Sequence, residues 1–105
     1  MPKLVGVIRV RVPLDLHAVA IGDRAFALAT PLRVRSILAL AVREVIGALA
    51  PADKFERSVR RTLAGLENGD YTMTIDGRIV RDIDAVVVCE STVDLRFYLK
   101  RVVAG

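Results

Sequence analysis

Tyr71-Thr72-Met73-Thr74-Ile75-Asp76-Gly77-Arg78-Ile79-Val80 is followed, further on, by Val93-Asp94-Leu95-Arg96-Phe97-Tyr98-Leu99. Both runs alternate in the period of two that marks a strand with one buried side. Asp76-Gly77 is a pair that readily takes the positive φ angles of a tight turn. Between the two runs, Ala85-Val86-Val87-Val88-Cys89 is a short apolar segment of extended type. The last strand leads into Lys100-Arg101-Val102-Val103-Ala104-Gly105, and residues 100–105 read as a C-terminal tail.

Earlier in the chain, Lys3 to Val12 sets Leu4, Ile8, Val10 and Val12 against Arg9 and Arg11, a strand with one apolar side. Leu16 to Ile21 and Arg24 to Ala29 flank the turn at Gly22-Asp23, so the opening third reads as a β-hairpin or a three-strand meander. Thr30-Pro31 predicts a helix start, because the hydroxyl caps free amides and proline has no N–H to waste. Val34, Ile37, Leu38, Ala41, Val42, Val45, Ile46 and Leu49 then recur at helical spacing, and Pro51 ends the helix near Ala50. Asp53 and Glu56 have the spacing of a capping box for a second helix with Phe55, Val59, Leu63 and Leu66 on its apolar stripe. Asn68-Gly69 closes that helix through a left-handed residue. Strands, then helices, then strands predict one α+β domain over residues 1–105, with helices packed on one face of a mixed sheet.

The totals narrow the function classes. The chain has 105 residues, 53% of them hydrophobic and 27% charged, which suits a single globular core. No apolar run approaches the roughly 18 residues of a membrane span, and the start lacks a signal-peptide pattern. One cysteine permits no internal disulfide, so a cytoplasmic setting is expected. Asn68 is the sole asparagine and glutamine is absent, a depletion of labile amides that fits a thermophile source.

Catalytic signatures are missing from the sequence: no glycine-rich phosphate loop precedes a Lys-Ser/Thr pair. His17 reads as a strand residue, Cys89 as a small buried side chain, and Asp82 with Asp84 as a solvated loop. An enzyme acting alone is not expected, nor is a metal site. Lys54, Arg57, Arg60 and Arg61 form a basic helix stripe that could follow phosphates, but no aromatic is interleaved to stack on bases. The net charge of +4 admits an acidic partner without demanding one. Gly105 lacks a Cβ, so a carboxylate there could enter a narrow slot.

The order of hairpin, capped helix, Tyr71–Ile75 strand, Ile75-Asp76-Gly77-Arg78-Ile79-Val80, Asp82-Ile83-Asp84, last strand and Val102-Val103-Ala104-Gly105 resembles the β-grasp, ubiquitin-like sulfur carriers and small modifiers. That family includes the molybdopterin synthase small subunit, the thiazole-synthesis carrier and the archaeal modifiers. The resemblance spans most of the chain as a pattern. It departs at Ala104, where the family has glycine, and in a second helix that is longer and richer in arginine. It implies a β-grasp mixed sheet and a carrier that binds no cofactor itself. An E1-like adenylyltransferase would activate the Gly105 carboxylate with ATP and Mg²⁺. A thiocarboxylate or a conjugate to a target protein would follow, with Ala104 in the slot and Arg96, Tyr98, Val102 and Val103 against the partner. The alternatives are a β-grasp interaction module with an inert tail, and a small basic nucleic-acid-binding protein using Lys54, Arg57, Arg60 and Arg61.

Overall fold

A computed structural model describes residues 2–13, 18–27, 32–76, 78–79 and 92–103. The chain opens on a three-strand meander of β1 (Pro2–Val12), β2 (Ala18–Ile21) and β3 (Arg24–Ala27). Two helices follow, α1 (Val34–Leu49) and α2 (Phe55–Asn68), joined by a 3₁₀ turn over Ala52–Lys54. The chain then returns through β4 (Tyr71–Ile75), β5 (Arg78–Ile79) and β6 (Val93–Val102). The described strands form one sheet in the order β3-β2-β1-β6-β4-β5.

The α+β class is therefore as expected, with both helices on one side of the sheet. A mixed sheet is not seen among the described strands, and the expected extended segment Ala85–Cys89 lies outside the described residues. Every pairing among the described strands is antiparallel, including the central β1·β6 ladder from Pro2↔Val102 to Val12↔Val93. Alternation dictates which face a side chain takes, and it reads the same whichever way the neighbouring strand runs. Strand polarity was thus the part that the pattern could not supply.

The core lies between sheet and helices. From β1 it takes Val10 and Val12, from β2 Val19 and Ile21, from β4 Met73, and from β6 Phe97 and Leu99. Helix α1 contributes Ile37, Leu38, Ala41, Val42, Val45 and Ile46, the stripe foreseen from its spacing. Each such fully buried large aliphatic or aromatic side chain stabilises the fold by about 1.5–3 kcal/mol. Leu49, placed on that stripe, is instead 61% exposed, because α1 ends there and the chain turns away at Ala50. Gly6, opposite Leu99, lets α1 approach the sheet: a Cβ at that position would collide with Val45.

Helix α2 meets the sheet edge through a narrower seam. Val59, Thr62 and Gly65 are its buried residues, and Phe55, Leu63 and Leu66 are half-buried. The Thr62 hydroxyl donates to the Ser58 carbonyl at 2.8 Å, which satisfies it inside the seam. The Tyr71 ring packs where a side chain on Gly65 would stand. At the far end Gly69 has φ +92°, and its N–H donates to the Gly65 carbonyl at 3.0 Å, the left-handed close foreseen from Asn68-Gly69.

Several local expectations change. The capping box is not formed: Lys54 stands at the N-cap of α2 without a side-chain cap. Glu56 turns to α1 instead and accepts from Arg43 at 2.8 and 3.4 Å. A charge-assisted pair with a guanidinium outcompetes a neutral amide for that carboxylate. Thr30 and Pro31 lie outside the described residues, and α1 begins at Val34. Three of the tail residues, Lys100 to Val102, belong to β6. They pair with Pro2 to Leu4 on one side, and Lys100 and Arg101 pair with Thr72 and Tyr71 on the other. The Val102 N–H is further held by the Asp70 carbonyl at 2.8 Å.

Candidate functional site

Among the described residues the helices pack on one face of the sheet and no element packs on the other, which we call the open face. Its centre is exposed at Arg9, Arg11 and Arg96, while Thr74 on β4 is buried. The alternation that buries Val10, Val12, Phe97 and Leu99 sends their strand neighbours to this open side. On the central strands these are Val7, Arg9 and Arg11 of β1 and Asp94, Arg96, Tyr98, Lys100 and Val102 of β6. Thr72 and Thr74 of β4 lie beside Lys100 and Tyr98. On the far side β2 and β3 present Ala18, Ala20, Ala25 and Ala27, a low strip next to the taller arginines.

Two registers set the electrostatics. Arg11 lies directly opposite Asp94, and Arg9 directly opposite Arg96. Asp94 serves both β1 arginines: it accepts from Arg9 Nε at 2.8 Å and Nη2 at 2.5 Å, and from Arg11 Nη2 at 3.2 Å. These donated hydrogen bonds, Arg9's first, hold the Asp94 carboxyl at about 2. The same contact raises the Arg9 guanidinium above its ordinary range. Asp94 is the only carboxylate among the described open-face strand positions, against the cations Arg9, Arg11, Arg96 and Lys100. Like charges directly across a ladder are destabilising, so Arg9 beside Arg96 is not a stability device. Beside this patch, in the turn after β4, Asp76 Oδ1 accepts from the Arg96 backbone N–H at 3.2 Å. Asp76 takes the left-handed conformation, φ +46°, that the Asp-Gly turn foretold.

Aliphatic side chains gather at one end of this face. Leu4, expected on the buried side with Ile8, Val10 and Val12, is instead turned to this face by a register shift between Leu4 and Gly6, which breaks the alternation of β1. Leu4, Val7 and Val102 are 53%, 44% and 43% exposed, and Val103 continues beyond β6 at 43%. Arg96, Tyr98, Val102 and Val103, singled out from sequence as partner-contacting, are thus brought together along one strand and its continuation. Ala104 and Gly105 lie outside the described residues, as do His17, Asp82, Asp84 and Cys89.

The other basic set is elsewhere. Arg57, Arg60 and Arg61 lie exposed along the outer side of α2, with Lys54 at its start, on the helix layer and away from the open face. Glu56 sits among them, its carboxyl lowered first by the hydrogen bond from Arg43 and further by the charge of Arg60.

A groove of about 640 Å³ opens where β3 meets the α1–α2 connection. Phe26, Leu40 and Phe55 line it, and Gly47 and Ala48 keep it open. Arg24 stacks over Phe26 at 5.1 Å and Arg43 over Phe55 at 5.0 Å. Glu44 pairs with Arg24 at 3.0 Å, so both arginines of this groove already have carboxylate partners. Sequence reasoning did not find this groove, because it joins residues of separate elements without a motif. Among the described residues no group of three metal-ligating side chains is assembled, and no helix is long and apolar enough to cross a membrane. Comparison with protein-family models, with curated proteins and with solved structures found no match.

Proposed function

We propose that this chain is a non-enzymatic docking module that engages a partner protein through the open face of its sheet. One observation carries the reading. A like-charged pair, Arg9 opposite Arg96, occupies the centre of an exposed face whose end carries Leu4, Val7 and Val102. Neither feature helps the isolated domain: the first costs stability and the second leaves apolar surface in water. Both become favourable when a complementary surface covers them. The groove at Phe26 and Phe55 supports less, since each of its arginines has a carboxylate of its own, whereas Arg9 and Arg11 of the open face share Asp94.

The test is site-specific photo-crosslinking in the source cells, with the reactive residue at Tyr98 or, separately, at Arg60. The expected result is one partner protein captured from position 98 and not from position 60. Equal capture from both positions, or capture from position 60 alone, overturns the reading.

A second reading keeps the ubiquitin-like carrier. There the Gly105 carboxylate is adenylated by an E1-like partner using ATP and Mg²⁺, then passed on as a thiocarboxylate or a conjugate. Its support is the path of exposed Val102 and Val103, which leads from the open face toward Ala104 and Gly105. The antiparallel β1·β6 pair weighs against the β-grasp fold on which this reading rests, because the carriers it resembles have a mixed sheet. Intact mass after incubation with an activating enzyme and ATP decides it. A gain equal to sulfur for oxygen, or an adenylate adduct, lost on deleting Gly105, is the outcome it requires. An unchanged mass with an active enzyme removes it.

A further inference from the structure

We infer that the open face takes an acidic protein segment carrying aliphatic side chains at one end, a deduction that rests on the docking reading above. The cations Arg9, Arg11, Arg96 and Lys100 run along the two central strands, with Asp94 as their one compensating carboxylate among the described open-face strand positions. A partner supplying carboxylates would relieve the Arg9–Arg96 opposition, and its aliphatic end would meet Leu4, Val7 and Val102. The match is in two parts, charge in the middle and apolar contact at the Pro2–Val102 end of the ladder, so it fixes a direction for the bound segment.

Two other occupants fit less well. A second copy of this chain would bring either the same cationic face or the basic outer side of α2, with Arg57, Arg60 and Arg61. Like charge opposes both arrangements. Single-stranded nucleic acid would find phosphate-binding cations, but Tyr98 is the sole aromatic at the described open-face positions, and binding without sequence preference leans on stacking of successive bases. Phosphates would also leave Leu4, Val7 and Val102 uncovered.

The experiment is a titration of the full chain followed by backbone amide NMR, with three probes. The first is a glutamate-rich peptide ending in leucines, the second its lysine counterpart, and the third an oligothymidylate. Binding of the first probe should shift the amides of Arg9, Arg11, Arg96, Tyr98 and Lys100. Its affinity should fall about tenfold in Arg96→Glu, the loss typical of reversing a charge within a complementary patch. Arg60→Glu should leave it unchanged, Arg96→Lys should retain most of it, and Val7→Asp should weaken it. Unchanged spectra in the variants without probe establish that they fold. Binding of oligothymidylate but not the acidic peptide at the same amides overturns the partner class and leaves the docking face standing. Equal binding of the lysine counterpart overturns the partner class as well. Shifts confined to α2, or none with any probe, overturn both the partner class and the docking face.

Discussion

Gly65 and Gly47 both lie inside helices, where alanine is ordinarily better than glycine by about 0.5–1 kcal/mol. Their surroundings reverse the sign at one of them. A Cβ on Gly65 would run into the Tyr71 ring, which cannot give way without unseating β4 from α2. Gly65→Ala should therefore lower stability by about 1–3 kcal/mol, the usual cost of overpacking. Gly47 is exposed, and a Cβ there meets only Phe55 Cε2 at an ordinary 3.7 Å. Gly47→Ala should raise stability by about 0.5–1 kcal/mol. Urea unfolding of both variants beside the parent checks the pair. Asp94 supplies a second residue-scale prediction. Its folded pKa, about 2, lies below the ordinary carboxylate value near 3.9 of an unfolded chain. Its contribution is therefore present in full above the unfolded value and is lost as pH falls toward about 2. Urea midpoints measured across that acid window should fall less steeply in Asp94→Asn than in the parent.

At the scale of elements, the close of α2 isolates a backbone effect. Gly69 holds φ +92°, and no heavy atom lies within 4 Å of where its Cβ would be, so a substitution there meets strain without collision. Gly69→Ala should cost about 1 kcal/mol and Gly69→Asn less, because asparagine tolerates the left-handed region. Thermal unfolding of the two variants separates them. The same element shows why some structure was legible in the sequence and some was not. Asn68-Gly69 announced its end because only a few residue types take that conformation. Asp53 and Glu56 announced a cap that is absent, because the motif is local and Arg43 arrives from a different helix. The α1 stripe was readable from Val34 to Ile46, since burial there follows helical period. Hydrophobic period does not mark Thr62 or Gly65, because both are buried for other reasons: one is bonded to Ser58, the other makes room for a ring. The open face was partly readable. Arg96 and Tyr98 could be assigned to the outward side of their strand, while their neighbours Arg9 and Val7 required knowing that β1 lies alongside and antiparallel.

At the scale of the whole molecule, positive charge among the described residues lies on two opposed surfaces rather than on one. The open face carries Arg9, Arg11, Arg96 and Lys100, and the outer side of α2 carries Arg57, Arg60 and Arg61. Any stacking of copies, face on face or face on helix, brings cations together. Sedimentation velocity should therefore give a monomer at low ionic strength, with association favoured only as salt screens the repulsion over a Debye length near 10 Å at 0.1 M. A dimer that is strongest at low salt would contradict this account of the surface.

The β1·β6 ladder has a mechanical corollary. Its register sets Pro2 beside Val102, so both strands leave the sheet at the same end and run in opposite directions from it. A pull applied between those two residues loads the rungs one after another, as in a zipper, starting with the outermost pair. Had the two strands run parallel, the same pull would have sheared all the rungs together. The domain is thus built to yield at low force when tugged by its ends, and any tension relayed through them would peel away the strands that bear Leu4, Val7 and Val102 before it disturbed the helices.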